Sequence, residues 1–179
     1  AANNRIGYLD EAKHVIKSYE HTHFVHSTTP VWNYSLFSDS DISNFQNGTH
    51  YRLYEIFGSH PRRVLDTAGY YFSVWAPNAT FVSVIGNFND WNPEAHPLFV
   101  RLEKSGIWEG FIPNLPKGEV YKYHIRGFNN QETVKGDPFA NFWEKRPKTA
   151  SITWELGYSW KDQDWMQSRK DHNALDKPW

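Results

Sequence analysis

A mainly β chain, an immunoglobulin-like antiparallel β-sandwich with a short helical extension in front, is the fold class this sequence predicts. From Tyr70 onward, short runs of β-branched and aromatic residues are interrupted by turn residues roughly every 8 to 12 positions. Within those runs apolar and polar side chains alternate with the period of a strand. The 179 residues suffice for one real core with chain to spare. Zero cysteines exclude a disulfide framework, thiol catalysis and cysteine-bound zinc, so packing must hold the fold.

In chain order, Asn3 to about Glu20 reads as a helix. Ile6, Leu9, Ala12, Ile16 and Tyr19 recur at helical spacing, Asn3 or Asn4 can cap the start, and Asp10 and Glu11 precede Lys13 and Lys17 as the helix dipole favours. From His21 to Gly48 the text is polar and aperiodic, an irregular connection pinned by Trp32, Tyr34, Leu36 and Phe37. Thr49 to Phe57 fits a short helix with Leu53, Ile56 and Phe57 on one side, ended by Gly58 and Pro61. Strands are then expected at Tyr70 to Ala76, Phe81 to Gly86, Leu98 to Glu103, Ile107 to Pro113 and Glu119 to Gly127, with weaker ones near Gln131 to Val134 and Thr149 to Trp154. The separators are residues turns use, among them Pro77-Asn78, Lys104-Ser105-Gly106 and Asn129-Asn130. In the fifth run, Tyr121, Tyr123 and Ile125 share one face and belong in the core, which leaves Val120, Lys122 and His124 on the more solvated face.

Composition narrows the function classes. Nineteen basic residues balance twenty acidic ones with no basic cluster, so neither nucleic acid nor an acidic membrane is expected as a partner. No segment approaches ~20 consecutive apolar residues, and the N-terminus lacks the pattern of a signal peptide. The expected location is therefore the cytoplasm. The one methionine is Met166, so a processed or cut chain is expected. Aromatic residues make up 17% of the sequence, more than a core of this size needs, and some rings should face solvent or a partner.

The run FVSVIGNFNDW, Phe81 to Trp91, is the most informative stretch. Its strand period breaks at Gly86, turn residues follow, and Trp91 stands among polar neighbours. A tryptophan held on a loop by a rigid sheet is either a plug over the end of the core or a flat recognition surface.

Three runs carry a family resemblance: YYFSVWAPNATFVSVIGNFNDWNPEAHPL, SGIWEGFIPNLPKGEVYKYHIRG and KGDPFANFWEKRPKTASI. Together they resemble the family 48 carbohydrate-binding module at the front of bacterial-type 1,4-α-glucan (glycogen) branching enzymes. The lead-in GTHYRLYEIFGSHP looks like that of branching enzymes in particular, and the terminal KDHNALDKPW resembles the segment before the catalytic barrel. The resemblance covers about Gly48 to Thr153 and implies residues 1–47 as an extension, 48–155 as the carbohydrate-binding sandwich and 156–179 as a linker toward a barrel. A barrel takes about 250 residues, so none fits beside the sandwich. The resemblance thus implies no catalytic residue, no cofactor and no branching activity in this chain alone.

The same resemblance implies a glucan site. In the glycogen-binding members, the tryptophan of the GxFNxW loop stacks on glucose and the lysine of the YKY-type strand bonds a hydroxyl, positions held here by Trp91 and Lys122. A second stacking tryptophan is replaced by Phe128 followed by Asn129, Thr149 fits a neighbouring contact, and Ser151 stands where a sugar-bonding asparagine is found. The expected partners are an α-glucan (glycogen or a maltooligosaccharide) and the catalytic barrel of the same parent chain, docked on an aromatic face that includes Trp143, Trp154, Trp160 and Trp165. The alternatives are a structural domain that buttresses the barrel without binding sugar, and a stand-alone glycogen-binding protein. No metal site is expected: His21, His23 and His26 lack a paired acid, and Asp39, Asp41 and Ser43 begin a calcium loop that fails at Asn44 and His50.

Overall fold

The computed structural model describes residues 13–17, 22–26, 30–101 and 104–172. Two four-stranded paths form the sandwich. One sheet has the order β3 (Gly58–Val64), β4 (Thr67–Trp75), β7 (Ile107–Pro113) and β6 (Phe99–Val100). The other runs β10 (Phe142–Trp143), β11 (Ser151–Ile152), β8 (Val120–Gly127) and β5 (Ala79–Gly86), with β9 (Glu132–Lys135) also on β8. All pairings are antiparallel, as the alternation predicts.

The main core lies between the sheets. Tyr70, Phe72 and Val74 of β4 and Trp108 and Ile112 of β7 meet Val82 and Val84 of β5 and Tyr121 and Tyr123 of β8. The expected placement of Tyr121 and Tyr123 holds, and both are fully buried. His124 departs from it: although on the outer face, it is only 4% exposed, because Phe81 lies against its ring and Glu132 reaches its Nε2 at 3.4 Å.

Residues before β3 build a third layer. Trp32 exchanges two backbone hydrogen bonds with Phe111 at 2.7 and 2.9 Å, so the chain joins the edge of β7. Trp32 then packs with Tyr71, Phe111 and Val64. Phe37 and Ile42 pack with Phe57 and Ile107. The irregular connection expected over 21–48 is corrected here, because it contains the helix α1 (Asp39–Gln46). Ser38 and Asp41 form a reciprocal capping box: the Ser38 hydroxyl accepts from the Asp41 amide at 3.1 Å and the Asp41 carboxylate from the Ser38 amide at 2.9 Å. Of the acids that begin the calcium-loop mimic, Asp41 is the one engaged in this cap.

Other expectations need correction too. The helix over residues 3–20 gives way at Lys13–Lys17 to a strand, β1, paired in a hairpin with β2 (Thr22–His26). Val15 and Ile16 are β-branched, and helical spacing did not outweigh a partner strand that sets Phe24 opposite Val15. The rest of that helix, and His21, lie outside the described residues. The helix expected over 49–57 shrinks to a 3-10 turn at Leu53–Glu55, and Gly58, with φ of 100°, opens a strand instead of ending the helix in a loop. β3 is an edge strand, where Pro61 costs no ladder bond, and a two-residue turn of positive φ at Leu65 (45°) and Asp66 (60°) joins it to β4. The strand expected over 98–103 is only two residues long. Among the described residues, no helix is long and apolar enough to cross a membrane.

Candidate functional site

β5 ends at Gly86, where the chain leaves the sheet as a 3-10 turn over Asn87–Asn89. The side chain of Asn89 ties the turn to the strand it has just left. Its Oδ1 accepts from the Gly86 amide at 2.9 Å, and its Nδ2 donates to the Val84 carbonyl and to His96 Nδ1, each at 2.9 Å. Burial lowers the His96 pKa, which keeps the imidazole neutral and able to accept that bond.

Asp90 and Trp91 then take left-handed backbone conformations, with φ of 54° and 59°. For a bulky residue such as Trp91 this conformation is disfavoured by about 1–2 kcal/mol, and the surrounding bonds hold it there. The Trp91 amide donates to the Gly86 carbonyl at 2.9 Å, and its indole Nε1 donates to Asn87 Oδ1 at 2.9 Å. The indole N–H is thus spent on positioning the ring, which remains 39% exposed.

Gly86 has no room for a side chain. A Cβ there would lie 2.1 Å from the Val120 carbonyl oxygen and 2.7 Å from the Phe88 ring. Gly86→Ala is expected to destabilise the fold by about 1–3 kcal/mol or more, because backbone cannot yield as a flexible side chain does. Chemical denaturation checks the stability, and a change in the Trp91 indole N–H signal checks that the loop has moved.

Lys122 lies opposite Ile85 on β5, one residue before Gly86. Its Nζ donates to Thr149 Oγ1 at 2.8 Å, which leaves two further N–H donors on the ammonium. The sequence expectation that Lys122 projects on the outer face is met, and the structure adds the direct pairing with Thr149. Trp91, Lys122 and Thr149 therefore gather at one end of the β5–β8 ladder. Phe128 does not join them. It is 73% exposed on the turn after β8, six residues along the strand from Lys122, up to about 20 Å away. Ser151 faces inward and is fully buried, its hydroxyl accepting from the Asp137 amide at 2.8 Å.

Beyond this cluster, a charged row crosses the same outer face. Arg126 bonds Glu94 and Glu132, each at 3.0 Å, and lies over the Phe81 ring. Sequence reasoning missed this row because Glu94 is distant in sequence. The arrangement offers an exposed ring and an ammonium–hydroxyl pair at one end of the sheet with carboxylates further along it, which suits a ligand that is apolar on its flat face and hydroxylated on its edge.

Among the comparisons with known proteins, the family model for carbohydrate-binding module 48 (isoamylase N-terminal domain) matches residues 56–140. The 1,4-alpha-glucan branching enzyme GlgB of Aquifex aeolicus is 43% identical over 145 residues, 81% of this chain and 23% of that enzyme. The namesake enzyme of Thermosynechococcus vestitus is 46% identical over 142 residues, 79% of this chain and 18% of that enzyme. A crystal structure of Klebsiella pneumoniae pullulanase complexed with maltotriose superposes with a TM-score of 0.44 at 26% identity, over 57% of this chain and 10% of that one. The chain thus spans about a fifth of the length of the curated relatives it matches.

Proposed function

Because residues 56–140 form a carbohydrate-binding module of family 48 in a chain similar to bacterial 1,4-α-glucan branching enzymes, we propose that this chain binds α-1,4-glucan on the outer face of the β5–β8 sheet. Its role is to position glycogen or a maltooligosaccharide for a catalytic barrel elsewhere in the parent protein, with no chemistry of its own. The observation that carries this reading is the Lys122–Thr149 pair at the same end of the β5–β8 ladder as the exposed Trp91 ring. Trp91 stacks on the CH face of a glucose unit, and the free N–H groups of Lys122 donate to a hydroxyl on its edge. Phe128 offers a ring at the far end of β8, where a longer chain can reach it.

Residues 48–155 serve as the module and 156–179 as the linker to the barrel. In that linker, Trp160 packs edge-on against Tyr158, and both are exposed at 73% and 75%. We assign this aromatic segment to the barrel contact, since an apolar surface of that kind has little else to cover it.

One stacked ring burying some tens of Å² contributes on the order of 1–3 kcal/mol at ~25 cal/mol/Å², so the isolated chain is expected to bind maltoheptaose no better than millimolar. Titration followed by the indole N–H resonances tests this. A saturable shift of Trp91, lost in Lys122→Ala without loss of fold, supports the reading. A Trp91 resonance that stays fixed at on the order of tens of millimolar sugar leaves the structural, non-binding domain as the answer.

A further inference from the structure

The register of the β8 sheet carries a row of side chains across its outer face. Tyr121 points into the core, so Val120 and Lys122 point out. Val120 stands opposite Ile152 of β11, and Ile152 opposite Phe142 of β10. Directly opposed residues share a face, which puts Phe142 on the same side of the sheet as Lys122, two strands from β8. Trp154 joins it there. The Thr153 amide donates to the Glu119 carbonyl at 2.9 Å, so the pairing of β11 runs on past Ile152, and because the Thr153 side chain is buried, Trp154 returns to the outer face. The Phe142 and Trp154 rings stack with centroids 4.7 Å apart and planes 27° from parallel, and Lys117 Nζ lies 4.2 Å from the Trp154 ring centroid. Held in this way, Phe142 is still 45% exposed. A polar pair stands beside it. Glu144, the next outward residue after Phe142, donates its amide to the Ala150 carbonyl at 3.0 Å, and its carboxylate accepts from the Ala150 amide at 3.3 Å and lies 3.4 Å from Lys148 Nζ. Lys148 precedes Thr149, whose hydroxyl accepts from Lys122.

We infer that Phe142, backed by Trp154, is a second sugar-stacking ring, one that takes a further glucose unit of an α-glucan chain crossing the sheet from Trp91 past Lys122 and Thr149 to β10. The inference rests on the glucan-binding function proposed above. It assigns Phe142 and Trp154 to the ligand face and not to the barrel contact. Trp91 is anchored through Gly86 on β5, one strand to one side of β8, and Phe142 lies two strands to the other side. Neighbouring strands stand about 4.8 Å apart, so the two anchors are separated by roughly 14 Å across the sheet. Along that path the Lys122 ammonium, the Thr149 hydroxyl and the Glu144–Lys148 pair alternate with the two rings. This order suits an oligomer with a repeating flat face and a hydroxylated edge. A dry protein contact over the same row would strip water from the Glu144 and Lys148 charges, whereas sugar hydroxyls replace it.

The test is a titration of the 179-residue chain with maltoheptaose and, separately, with maltose, reading the assigned indole N–H resonances of Trp91 and Trp154. With maltoheptaose both should shift along one saturation curve. Phe142→Ala should weaken maltoheptaose binding about tenfold while hardly changing that of maltose as read at Trp91, and Phe142→Tyr, which keeps the ring, should bind as the wild type does. A Trp154 resonance that stays still while Trp91 saturates, or a Phe142→Ala chain that binds maltoheptaose as well as the wild type, overturns this assignment and leaves the glucan function standing. If neither indole responds, the function proposed for the whole face falls and this inference with it. The wild-type resonances decide the matter even if a variant folds poorly.

Discussion

Asp137→Ala is expected to cost the fold about 3 kcal/mol or more, measured as a lowered midpoint of chemical denaturation. Asp137 is fully buried under the β8 sheet. One carboxylate oxygen accepts from the hydroxyls of Tyr121 and Tyr123 at 2.6 and 3.3 Å, and the other accepts from the Phe139 amide at 2.8 Å. Removing the carboxylate strands two buried hydroxyls and an amide, at about 1–3 kcal/mol for each group left without a partner. The same group carries a pH signature. Burial, only partly offset by these donors, raises the Asp137 pKa from 3.8 to about 6. The native state therefore holds the proton more tightly than the unfolded chain does. The stability contributed by the protonated carboxyl is fully present below about pH 4 and is lost as pH rises through about 6. At ~1.4 kcal/mol for each pH unit between the two values, the loss amounts to roughly 3 kcal/mol. Asp137→Asn keeps the shape and cannot titrate, so the stability of wild type relative to Asp137→Asn should fall by that amount between pH 4 and pH 7. A difference that stays flat over this range would show that the carboxyl does not titrate in the fold.

A loss of about 3–5 kcal/mol is expected for Glu109→Ala, because it leaves a buried cation without its counterion. Glu109 is 3% exposed, on the face of β7 that looks toward the N-terminal layer. It accepts from the Tyr71 hydroxyl at 2.5 Å and from Arg101 Nη1 at 2.7 Å. Burial raises its pKa, while the Arg101 guanidinium and the Tyr71 hydroxyl pull it back. Arg101 also donates to the Ser35 hydroxyl at 2.5 Å, so the ion pair bolts the extension to the sheet. Replacing Glu109 and Arg101 together by leucine and methionine should recover most of the loss, since the penalty lies in the orphaned charge. A double-mutant cycle on denaturation midpoints checks this, and additive losses would mean that the two side chains do not act as a pair.

The strands were legible wherever β-branched and aromatic residues alternated: the run Ile107 to Pro113 matches β7 residue for residue. β3 was not, because Pro61 and two arginines break the apolar pattern and Leu65-Asp66 is no obvious hairpin turn. α1 escaped a periodicity reading because Ile42 is its one fully buried residue; the readable signal was the Ser38–Asp41 cap. For the candidate site, local turn chemistry exposed Trp91, and the alternation of β8 put Lys122 on the outer face. Asp137 carried no such signal. Its place depends on two tyrosine hydroxyls meeting at one point inside the sandwich. That is a fact of long-range packing, which neither composition nor spacing encodes.

The layer that Trp32, Phe37 and Ile42 lay over the β4–β7 sheet makes the domain one-sided. A bare two-sheet sandwich has two broad faces and could settle on a surface either way up. Here one of them is sealed by the protein's own chain, so a landing on any extended partner has a single right way up. For the glucan proposed as ligand, the side of approach is thereby fixed before the first contact forms, because the covered β4–β7 face is withdrawn from it.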